Sequence, residues 1–600
     1  FPDGEISYQR LEKDVRELET FLREQNRAHK SVLLFMSQGP ALIASVLSCL
    51  KGKAVFCPAH LGTPEQRLVK ILEELGTNLV FTDPDQVAFL QSIRKKKNLS
   101  LDIVCIASTP QGMTLTRCPQ INGTVYNKEY DPRVGYVYFS SGSTGTPKGI
   151  LGRTDGLAHF ISWEIRSFGV TSDFVVSQLT PPSFDPFLRD ILVPLCVGGR
   201  VAIPQPERVS NPRALLKWLR DEKVTLAHMV PSLFRLLLTA VNKQQPLPDL
   251  QRLVLAGEML YGRDVSLFYE RMEGKIALTN LYGPTETTLA KFCHNVIPQD
   301  EERGRVPVGY PIDGTEACIW GAEGPDEKLM EGELCIKPPF EPLGYLNSEL
   351  TAQRFVRDSS EERGLWYRSG DLAKRLENGE FELIGRVDSQ IKIRGMLVQP
   401  EEVEAVLAAH PHISRCAVIA LEDPTGQPYL EAELELCPAE AKKGCTVADY
   451  KHYLLDRLPD YMVPAVYEIW DKLPLNTNGK IDRQRIYQDR KGREANRIQN
   501  AQSVPTDFRE RLFHTVEPYL NSVTYETIDF QQELVEYGVD SLSFVTLLLD
   551  IEAEFQMEFD ESVFQMDILY SLERILQYIL DSKGLSIAVG KLQQEEEGCG

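Results

Sequence analysis

The first half of the chain alternates between short apolar runs and longer amphipathic stretches. Runs of three to five residues that are rich in β-branched and aromatic side chains predict buried strands. Such runs lie at 32–35, 54–57, 78–82, 103–107, 136–139, 174–178, 201–203, 253–256 and 276–278. Stretches between them, such as 65–75 and 212–223, have the apolar spacing of helices. This alternation predicts layered α/β sheets with mostly parallel strands.

The pattern changes further along the chain. Residues 305–385 combine short runs with frequent Gly and Pro, which predicts a small antiparallel, barrel-like piece that completes a large domain over 1–386. Residues 387–485 predict a smaller α/β lid, with a helix at 400–409 and strands at 415–421 and 429–436. A polar linker at 486–505 precedes a four-helix unit at 506–583, and an acidic tail fills 584–600. The predicted fold class is therefore α/β, followed by a helical domain.

Composition narrows the possible partners. The chain has 600 residues and a net charge of −21, which argues against nucleic acid or an anionic membrane as the main partner. Its 12 cysteines are scattered without a CxxC or Cys/His cluster, so they predict reduced thiols in a cytoplasmic protein. No run of 18 or more apolar residues is present, so no membrane-spanning segment is predicted.

A loop rich in glycine and hydroxyl groups follows the apolar run at 136–139. Glycines leave backbone N–H groups accessible, and hydroxyls with a lysine add donors, so the loop suits a polyphosphate. The spacing differs from that of a Walker A loop, and a flexible Ser/Gly turn is the alternative. The predicted phosphate-binding positions are Ser140, Ser141, Gly142, Ser143, Thr144, Gly145 and Lys148.

Further motifs follow this loop in a fixed order. They are SFD at 183–185, NLYGPTE at 280–286, GEL at 332–334, YRSGD at 367–371, GRVDSQIKIRG at 385–395, LPDYMVP at 458–464 and NGKID at 478–482. With the loop, this ordered set resembles the adenylation domains of nonribosomal peptide synthetases, which are adenylate-forming enzymes. The resemblance covers nearly all of residues 1–485.

The resemblance implies a site for ATP and Mg²⁺. Glu286 would hold Mg²⁺, Thr285 would contact a phosphate, and Tyr282 would lie against the adenine. The carboxylate of Asp371, an acceptor of hydrogen bonds only, suits the two ribose hydroxyls. The simpler alternatives are that Glu286 forms a surface ion pair, that Tyr282 is an ordinary core tyrosine and that Asp371 caps a turn. The remaining implied ATP positions are Asn280, which would read the adenine edge, Gly283 and Arg386.

Two residues of the lid are implied in the chemistry. Lys480 would bridge the substrate carboxylate and the nucleotide, where negative charge builds up. Asp388 matches the hinge about which the lid of the family turns between two half-reactions. A solvated turn lysine and an aspartate in a local ion pair are the alternatives.

The resemblance also implies a pocket for an amino acid. Asp185, after Phe184, would pair with the substrate ammonium, whereas a helix cap is the alternative. Arg189 and His228 would face a polar or acidic side chain, unless Arg189 pairs with Asp190 or Glu164 outside the pocket. The other implied pocket positions are Pro186, Val254, Ala256, Leu281, Leu289 and Ala290.

The segment YGVDSL at 537–542 resembles the phosphopantetheine attachment site of a peptidyl carrier protein. Ser541 would carry the arm at the start of a helix, where a phosphodiester is favoured. A plain helix start is the alternative.

Together, the resemblances imply a ligase that converts an amino acid and ATP into aminoacyl-AMP and pyrophosphate. The acyl group would then pass to the phosphopantetheine thiol on Ser541, in nonribosomal peptide or hybrid biosynthesis of an antibiotic or other natural product. The implied partners are a phosphopantetheinyl transferase and downstream condensation or other synthetase modules. A free acyl-CoA or aryl-CoA ligase and a catalytically degenerate carrier scaffold are the alternatives.

Overall fold

The computed structural model of the protein describes its chain with a number of gaps. The described residues are 4–109, 112–119, 122–140, 147–241, 247–272, 276–321, 324–326, 328–357, 364–388, 390–393, 395–422, 428–437, 447–470, 472–474, 481–483, 485–487, 508–520, 525, 528–532, 534–537, 539, 541–555, 557, 559 and 571–582. Within these ranges, no helix has the length and apolar character that a bilayer crossing requires.

Seven strands near the N-terminus form the first sheet, in the order β5-β4-β3-β1-β2-β6-β7. They are β1 (Ser31–Phe35), β2 (Val55–Pro58), β3 (Leu79–Thr82), β4 (Asp102–Thr109), β5 (Gly112–Arg117), β6 (Val134–Ser140) and β7 (Lys148–Arg153). The accompanying helices are α1 (Tyr8–Glu24), α2 (Pro40–Gly52), α3 (Glu65–Leu75) and α4 (Val87–Lys96). The inner strands pair in parallel, whereas β5 and β7 pair antiparallel at the two edges.

The second sheet has the order β14-β13-β12-β11-β10-β8-β9. Its strands are β8 (Val175–Ser177), β9 (Arg200–Ala202), β10 (Leu226–Met229), β11 (Arg252–Ala256), β12 (Ala277–Tyr282), β13 (Phe292–Asn295) and β14 (Tyr310–Pro311). The helices are α5 (Thr154–Phe168), α6 (Pro186–Val197), α7 (Pro206–Ser210), α8 (Pro212–Asp221), α9 (Pro231–Ala240) and α10 (Gly262–Arg271). Strands β8 to β12 run parallel, and β13 and β14 add an antiparallel edge.

The two faces of the second sheet belong to different cores. Val254 and Leu281 pack with apolar residues of α5 and α6, such as Phe160 and Leu188. Leu253 and Leu255, which alternate with Val254, pack with residues of α8, α9 and α10 on the opposite face. Residues of β10, β11 and β12 that point towards α5 and α6 therefore share one environment, and the candidate pocket lies on this face.

A smaller antiparallel sheet follows. It consists of β15 (Glu316–Trp320), β16 (Pro325–Asp326), β17 (Glu331–Lys337), β18 (Phe355–Arg357), β19 (Leu365–Arg375) and β20 (Phe381–Arg386), with helix α11 (Ser348–Arg354). Its observed pairs are all antiparallel, as the frequent Gly and Pro of this segment predict.

The chain divides into two compact units, one formed by residues 1–403 with 455–462 and the other by residues 404–454 with 463–600. The elements after β20 are β21 (Ile391–Ile393), β22 (Met396–Val398), α12 (Pro400–Ala408), β23 (Ile413–Glu422), β24 (Pro428–Leu436), α13 (Val447–Leu455), β25 (Val466–Trp470), α14 (Phe508–Val516), α15 (Ser541–Phe555) and α16 (Leu572–Ser582). Strands β23, β24 and β25 form a three-stranded sheet, and α14 to α16 supply buried apolar residues in the predicted helical domain.

The architecture agrees with the prediction from the apolar pattern. Each predicted run between residues 30 and 290 overlaps a strand, and the helix predicted at 65–75 is α3. Helix α1 was not predicted, although Val15, Leu18 and Leu22 form a buried helical stripe. The partly polar edge strands β5 and β7 and the buried strand β10 were not predicted either.

Candidate active site

Several predicted residues lie where strands of the two sheets end. Ser140 ends β6, Ala256 ends β11 and Tyr282 ends β12. In open α/β sheets, ligands bind beyond the carboxyl ends of the parallel strands. Ser140 pairs with Lys148 across the β6–β7 ladder, so the strands bracket the predicted phosphate loop on both sides.

Asp371 joins two distant motifs through its carboxylate. The buried hydroxyl of Tyr282 donates a hydrogen bond to one carboxylate oxygen, and Arg386 donates to the other. Burial, together with the adjacent carboxylate, raises the pKa of Tyr282 well above its usual range, so the phenol stays protonated as a donor. The structure thus brings together three of the residues that were predicted to bind nucleotide.

Arg386 also binds Asp388. Its guanidinium donates to the two carboxylate oxygens at 2.7 and 3.1 Å, and Arg354 donates to Asp388 at 3.2 Å. Burial alone would raise the pKa of Asp388, but the two guanidinium groups outweigh it and lower the pKa. The local ion pair that the sequence left open is therefore present, and the hinge role stays a prediction.

Two half-buried lysines complete this group. Lys392, on the β21–β22 hairpin, places its ammonium 5.5 Å from the centre of the Tyr282 ring. Burial lowers the pKa of Lys392, and burial together with the nearby Arg354 lowers that of Lys148. The name Asp371 cluster is used below for this set, which consists of Tyr282, Asp371, Arg386, Asp388, Arg354, Lys148 and Lys392.

Glu286 lies close to the Asp371 cluster. It stands on a 3₁₀ turn, Thr285–Thr287, and one of its carboxylate oxygens accepts a hydrogen bond of 2.8 Å from the hydroxyl of Tyr345. The other oxygen makes no hydrogen bond within the described part of the chain. The charge of Glu286 acts on Lys148 and Lys392, so the carboxylate faces the same space as these ammonium groups.

Asp185 does not cap helix α6, although it occupies the position before Pro186. Its two oxygens instead accept hydrogen bonds from the Thr285 hydroxyl at 2.7 Å and from the Leu289 N–H at 3.1 Å. Thr288 and Leu289 have φ values of 69° and 58°, a left-handed conformation that is costly for such side chains. Asp185 therefore holds a strained segment of the pocket in place.

Lys291 is a fully buried lysine that the sequence analysis did not single out. Its ammonium donates to the carbonyl groups of Thr288 and Ala290. Burial lowers the pKa of Lys291 to about 7, and the charge of Asp185 acts against that decrease. A lysine between the apolar pairs 289–290 and 292–293 was the available signal for a buried cation.

Arg189 and His228 lie in a buried network of charges. His228 Nε2 is 2.7 Å from Glu164 Oε1, and His228 Nδ1 is 3.1 Å from Asp190 Oδ1. Arg189 Nε is 3.6 Å from Asp190 Oδ1, as the alternative in the sequence analysis proposed. These four residues, Glu164, Arg189, Asp190 and His228, are called the His228 cluster below.

The other predicted pocket residues surround the same face of the second sheet. Parallel register places His228 beside Val254 and Ala256 beside Leu281. Leu289 and Ala290 are buried in the same apolar core, and Phe184 packs edge-on against Tyr461 with ring centres 6.4 Å apart.

Two predicted nucleotide positions have structural partners of their own. The buried amide of Asn280 donates to the carbonyl of Pro307 at 2.9 Å, so its role towards adenine stays a prediction. Gly283 is required by packing, because a Cβ there would lie 2.3 Å from the carbonyl oxygen of Leu289.

Some predicted residues lie outside the described residues. They are Ser141, Gly142, Ser143, Thr144, Gly145 and Lys480. Ser541 is the first residue of α15, as predicted for an attachment serine, although its side chain is among those not described. Within the described residues, no group of three or more His, Cys, Asp and Glu has the arrangement of a metal site.

Comparison with known proteins gives three family matches along the chain. The family described as AMP-binding enzyme matches residues 1–346, and the AMP-binding enzyme C-terminal domain matches residues 402–480. The phosphopantetheine attachment site family matches residues 519–579. These matches follow one another in the order that the motifs predicted.

Two similar proteins are synthases that are longer than this chain. Tyrocidine synthase 3 of Brevibacillus parabrevis is 30% identical over 486 residues, which are 80% of this chain and 7% of that protein. Tyrocidine synthase 1 of the same organism is 27% identical over 91% of this chain and 48% of that protein. The chain thus spans only a small part of the first of these relatives.

Solved structures share the fold. Holo-PA1221, a nonribosomal peptide synthetase protein with adenylation and carrier domains, aligns with a TM-score of 0.74 and 21% identity over 96% of this chain and 93% of that one. The Vibrio cholerae adenylation domain AlmE aligns with a TM-score of 0.69 and 21% identity over 81% of this chain and 93% of that one. The predicted fold class, an adenylation fold followed by a carrier domain, is confirmed.

The match to the AMP-binding enzyme family covers more than half of the chain. This ATP-using domain is followed by its C-terminal domain and by a domain that carries phosphopantetheine. The chain therefore belongs to the AMP-binding enzyme family, as an adenylation domain fused to a phosphopantetheine carrier domain.

Proposed function

We propose that this protein activates an amino acid with ATP and then loads it onto its own carrier domain. The first step forms aminoacyl-AMP and releases pyrophosphate. In the second, the thiol of phosphopantetheine on Ser541 attacks the acyl carbon, a thioester forms and AMP leaves. The observation that carries the proposal is the presence of an ATP-using domain and a phosphopantetheine attachment domain in one chain.

The Asp371 cluster supports the nucleotide step. Its four cationic side chains outnumber the carboxylates of Asp371 and Asp388, and burial already lowers the pKa of both of its lysines. A bound polyphosphate would relieve the cost of burying these cations. The free carboxylate oxygen of Glu286 is the kind of hard ligand that Mg²⁺ takes, so these residues fit a Mg²⁺–nucleotide complex. When bound, the ion would neutralise negative charge on the phosphates.

Asp185 supports an amino acid as the substrate. Its carboxylate is fully buried, and burial raises its pKa although it accepts two hydrogen bonds. A substrate ammonium would favour the ionised carboxylate and offset the cost of burying it. An acid without an ammonium group would leave that cost in place.

The proposed partners follow from the second step. Ser541 needs a phosphopantetheinyl transferase and CoA to receive its arm, and the loaded acyl group needs a downstream condensation or other synthetase module. The cysteines among the described residues are all free, which supports the predicted cytoplasmic location.

The test uses the full chain and Ser541→Ala. The variant should keep wild-type pyrophosphate exchange, because forming the adenylate needs only ATP, Mg²⁺ and the amino acid. After treatment with a phosphopantetheinyl transferase and CoA, mass spectrometry of the wild type should show one arm and then one aminoacyl group. The variant should gain neither.

Ser543→Ala, two residues along the same helix, is the matched control and should load like the wild type. An arm on another serine, or loading that persists in Ser541→Ala, would contradict the carrier assignment. If the protein formed acyl-CoA from free CoA as fast as it loads the carrier, a free CoA ligase would be favoured instead.

A further inference from the structure

The His228 cluster is buried almost completely. The side chains of Glu164, Asp190 and His228 are 0% exposed, and that of Arg189 is 4% exposed. They come from three elements, since Glu164 belongs to α5, Arg189 and Asp190 to α6, and His228 to β10. Charges at this depth must be paired or must meet a ligand.

The cluster lies on the substrate side of the second sheet. His228 is in register with Val254, and this face carries the apolar core that includes Leu281, Leu289 and Ala290. Burial raises the pKa of Asp185, and the charge of Arg189 acts against that rise, so the guanidinium is close enough to influence the Asp185 carboxylate. A side chain of a substrate whose ammonium pairs with Asp185 would therefore extend towards Arg189.

The charges within the cluster balance. Burial opposes protonation of His228, but the carboxylates of Glu164 and Asp190 outweigh it and raise the pKa of the imidazole. Protonated His228 and Arg189 then match two carboxylates. A third carboxylate brought in by a substrate would have no free cation to pair with and would be buried at a large cost.

The hydrogen bonds of the cluster are incomplete. Within the described part of the chain, Arg189 Nε is buried without a hydrogen-bond acceptor, since Asp190 Oδ1 is 3.6 Å away. Glu164 Oε2 is likewise buried without a hydrogen-bond donor, and His228 Nδ1 and Asp190 Oδ1, although 3.1 Å apart, do not form a well-aligned hydrogen bond. Buried polar atoms that lack a hydrogen-bond partner indicate that a further molecule completes the network, and here both donors and acceptors lack partners.

We propose that the substrate has a neutral side chain that both accepts and donates hydrogen bonds, of the carboxamide or hydroxyl class. Its oxygen would accept from Arg189, and its N–H or O–H would donate to an open carboxylate oxygen. Glu164 and Asp190 are then specificity-determining residues, because they neutralise Arg189 and His228 and so exclude acidic side chains. This inference rests on the proposed function, and it narrows the expectation of a polar or acidic substrate that the sequence supports.

The experiment measures kcat/KM for pyrophosphate exchange with a panel of amino acids. For the wild type we expect Gln, Asn, Ser or Thr to exceed Glu, Asp, Leu and Phe by at least about tenfold. Glu164→Gln and Asp190→Asn keep the shape but remove one negative charge, so that an incoming carboxylate can take its place beside Arg189 and His228. In these variants, the kcat/KM for the acidic amino acid divided by that for its amide, Glu over Gln or Asp over Asn, should rise by about tenfold or more.

Asp102→Asn is the matched control, because Asp102 is a buried carboxylate paired with Arg117 at 2.6 Å in the first sheet. It should leave the acid-to-amide ratio unchanged. A wild type that prefers acidic, aliphatic or aromatic amino acids would overturn the proposal, and so would an equal change of ratio in Glu164→Gln and Asp102→Asn. If the cluster variants fail to melt cooperatively, the wild-type panel decides.

Failure of the proposed function has a different result. A chain that exchanges pyrophosphate with no amino acid of the panel would contradict amino acid activation itself. Exchange with the wrong amino acids would contradict only the assignment of the His228 cluster.

Discussion

The Asp371 cluster is a partly buried group of charges and the His228 cluster a fully buried one, and their charges are also balanced differently. In the Asp371 cluster four cationic side chains meet two carboxylates, and counting Glu286 as well still leaves an excess of positive charge. In the His228 cluster, two cations meet two carboxylates. The comparison teaches that the uncompensated charge of a buried site indicates the charge of its ligand, since burying an unpaired charge is costly.

The largest expected effect comes from Lys480. Lys480→Ala would remove a cation that the resemblance places where negative charge develops. We expect pyrophosphate exchange to fall by at least about 100-fold while the melting temperature stays unchanged. Lys472→Ala, an exposed lysine of the same lid, is the control. Near wild-type exchange in Lys480→Ala would show that the Asp371 cluster supplies all of the positive charge that catalysis needs.

The next effect separates charge from movement at Asp388. Asp388→Pro fixes φ at the predicted hinge and also removes the ion pairs with Arg386 and Arg354, whereas Asp388→Asn removes only the charge. We expect Asp388→Pro to slow thioester formation about tenfold more than adenylation, because the resemblance implies that the lid turns between the two steps. Asp388→Asn should slow the two steps to the same extent. Parallel losses in both variants would leave Asp388 with an ion-pair role alone.

Asp371→Asn and Glu164→Gln test the two clusters against each other. Asp371→Asn leaves Tyr282 and Arg386 without their shared carboxylate, so we expect the KM for ATP to rise about tenfold. It should leave the preference between Gln and Glu unchanged. Glu164→Gln should leave the KM for ATP unchanged and should shift the preference from Gln towards Glu. If either variant changed both quantities alike, the two clusters would not be separate ligand sites.

The smallest expected effect concerns Lys291 and is measured as a change in the free energy of unfolding. Because burial lowers the pKa of Lys291 to about 7, the folded protein releases a proton that the unfolded chain keeps up to about pH 10. The contribution of Lys291 to stability therefore rises as the pH increases from 7 towards 10. The difference in unfolding free energy, Lys291→Met minus wild type, should fall by about 1–3 kcal/mol between pH 7 and 9. Denaturant melts measure it, and exposed Lys374→Met should show no such trend.

Most of the strand pattern of the large domain could be predicted from the sequence, because buried parallel strands are short apolar runs. The ends of the strands were harder to predict from the sequence. The run at 276–278 proved to be β12, Ala277–Tyr282, since the polar residues Thr279 and Asn280 are buried within the strand. Because these residues are polar, the part of the strand that leads into the candidate active site was not predicted as strand.

The site could be predicted only in part, for a related reason. Motifs place Asp371, Arg386 and Asp388 near one another in the sequence, and the structure does bring them together. The ion pair between His228 and Glu164 joins residues 64 positions apart, and a glutamate on a helix ordinarily indicates an exposed face. Whether Arg189 bonds to a substrate or to Asp190 depends on how α6 packs, which no local pattern records.

Gly283 joins a residue of the Asp371 cluster to the wall of the predicted pocket. It follows Tyr282 of the Asp371 cluster, and a Cβ there would meet the backbone of Leu289 and Ala290 at 2.3 and 2.6 Å. The pocket wall at these positions is therefore set by how closely two backbone segments approach, and only the side chains projecting from it are free to change. Efforts to redirect this enzyme to other amino acids should vary positions 189, 228, 254 and 256. They should leave position 283 unchanged, because any larger residue there would displace the backbone of Leu289 and Ala290 and the neighbouring Tyr282.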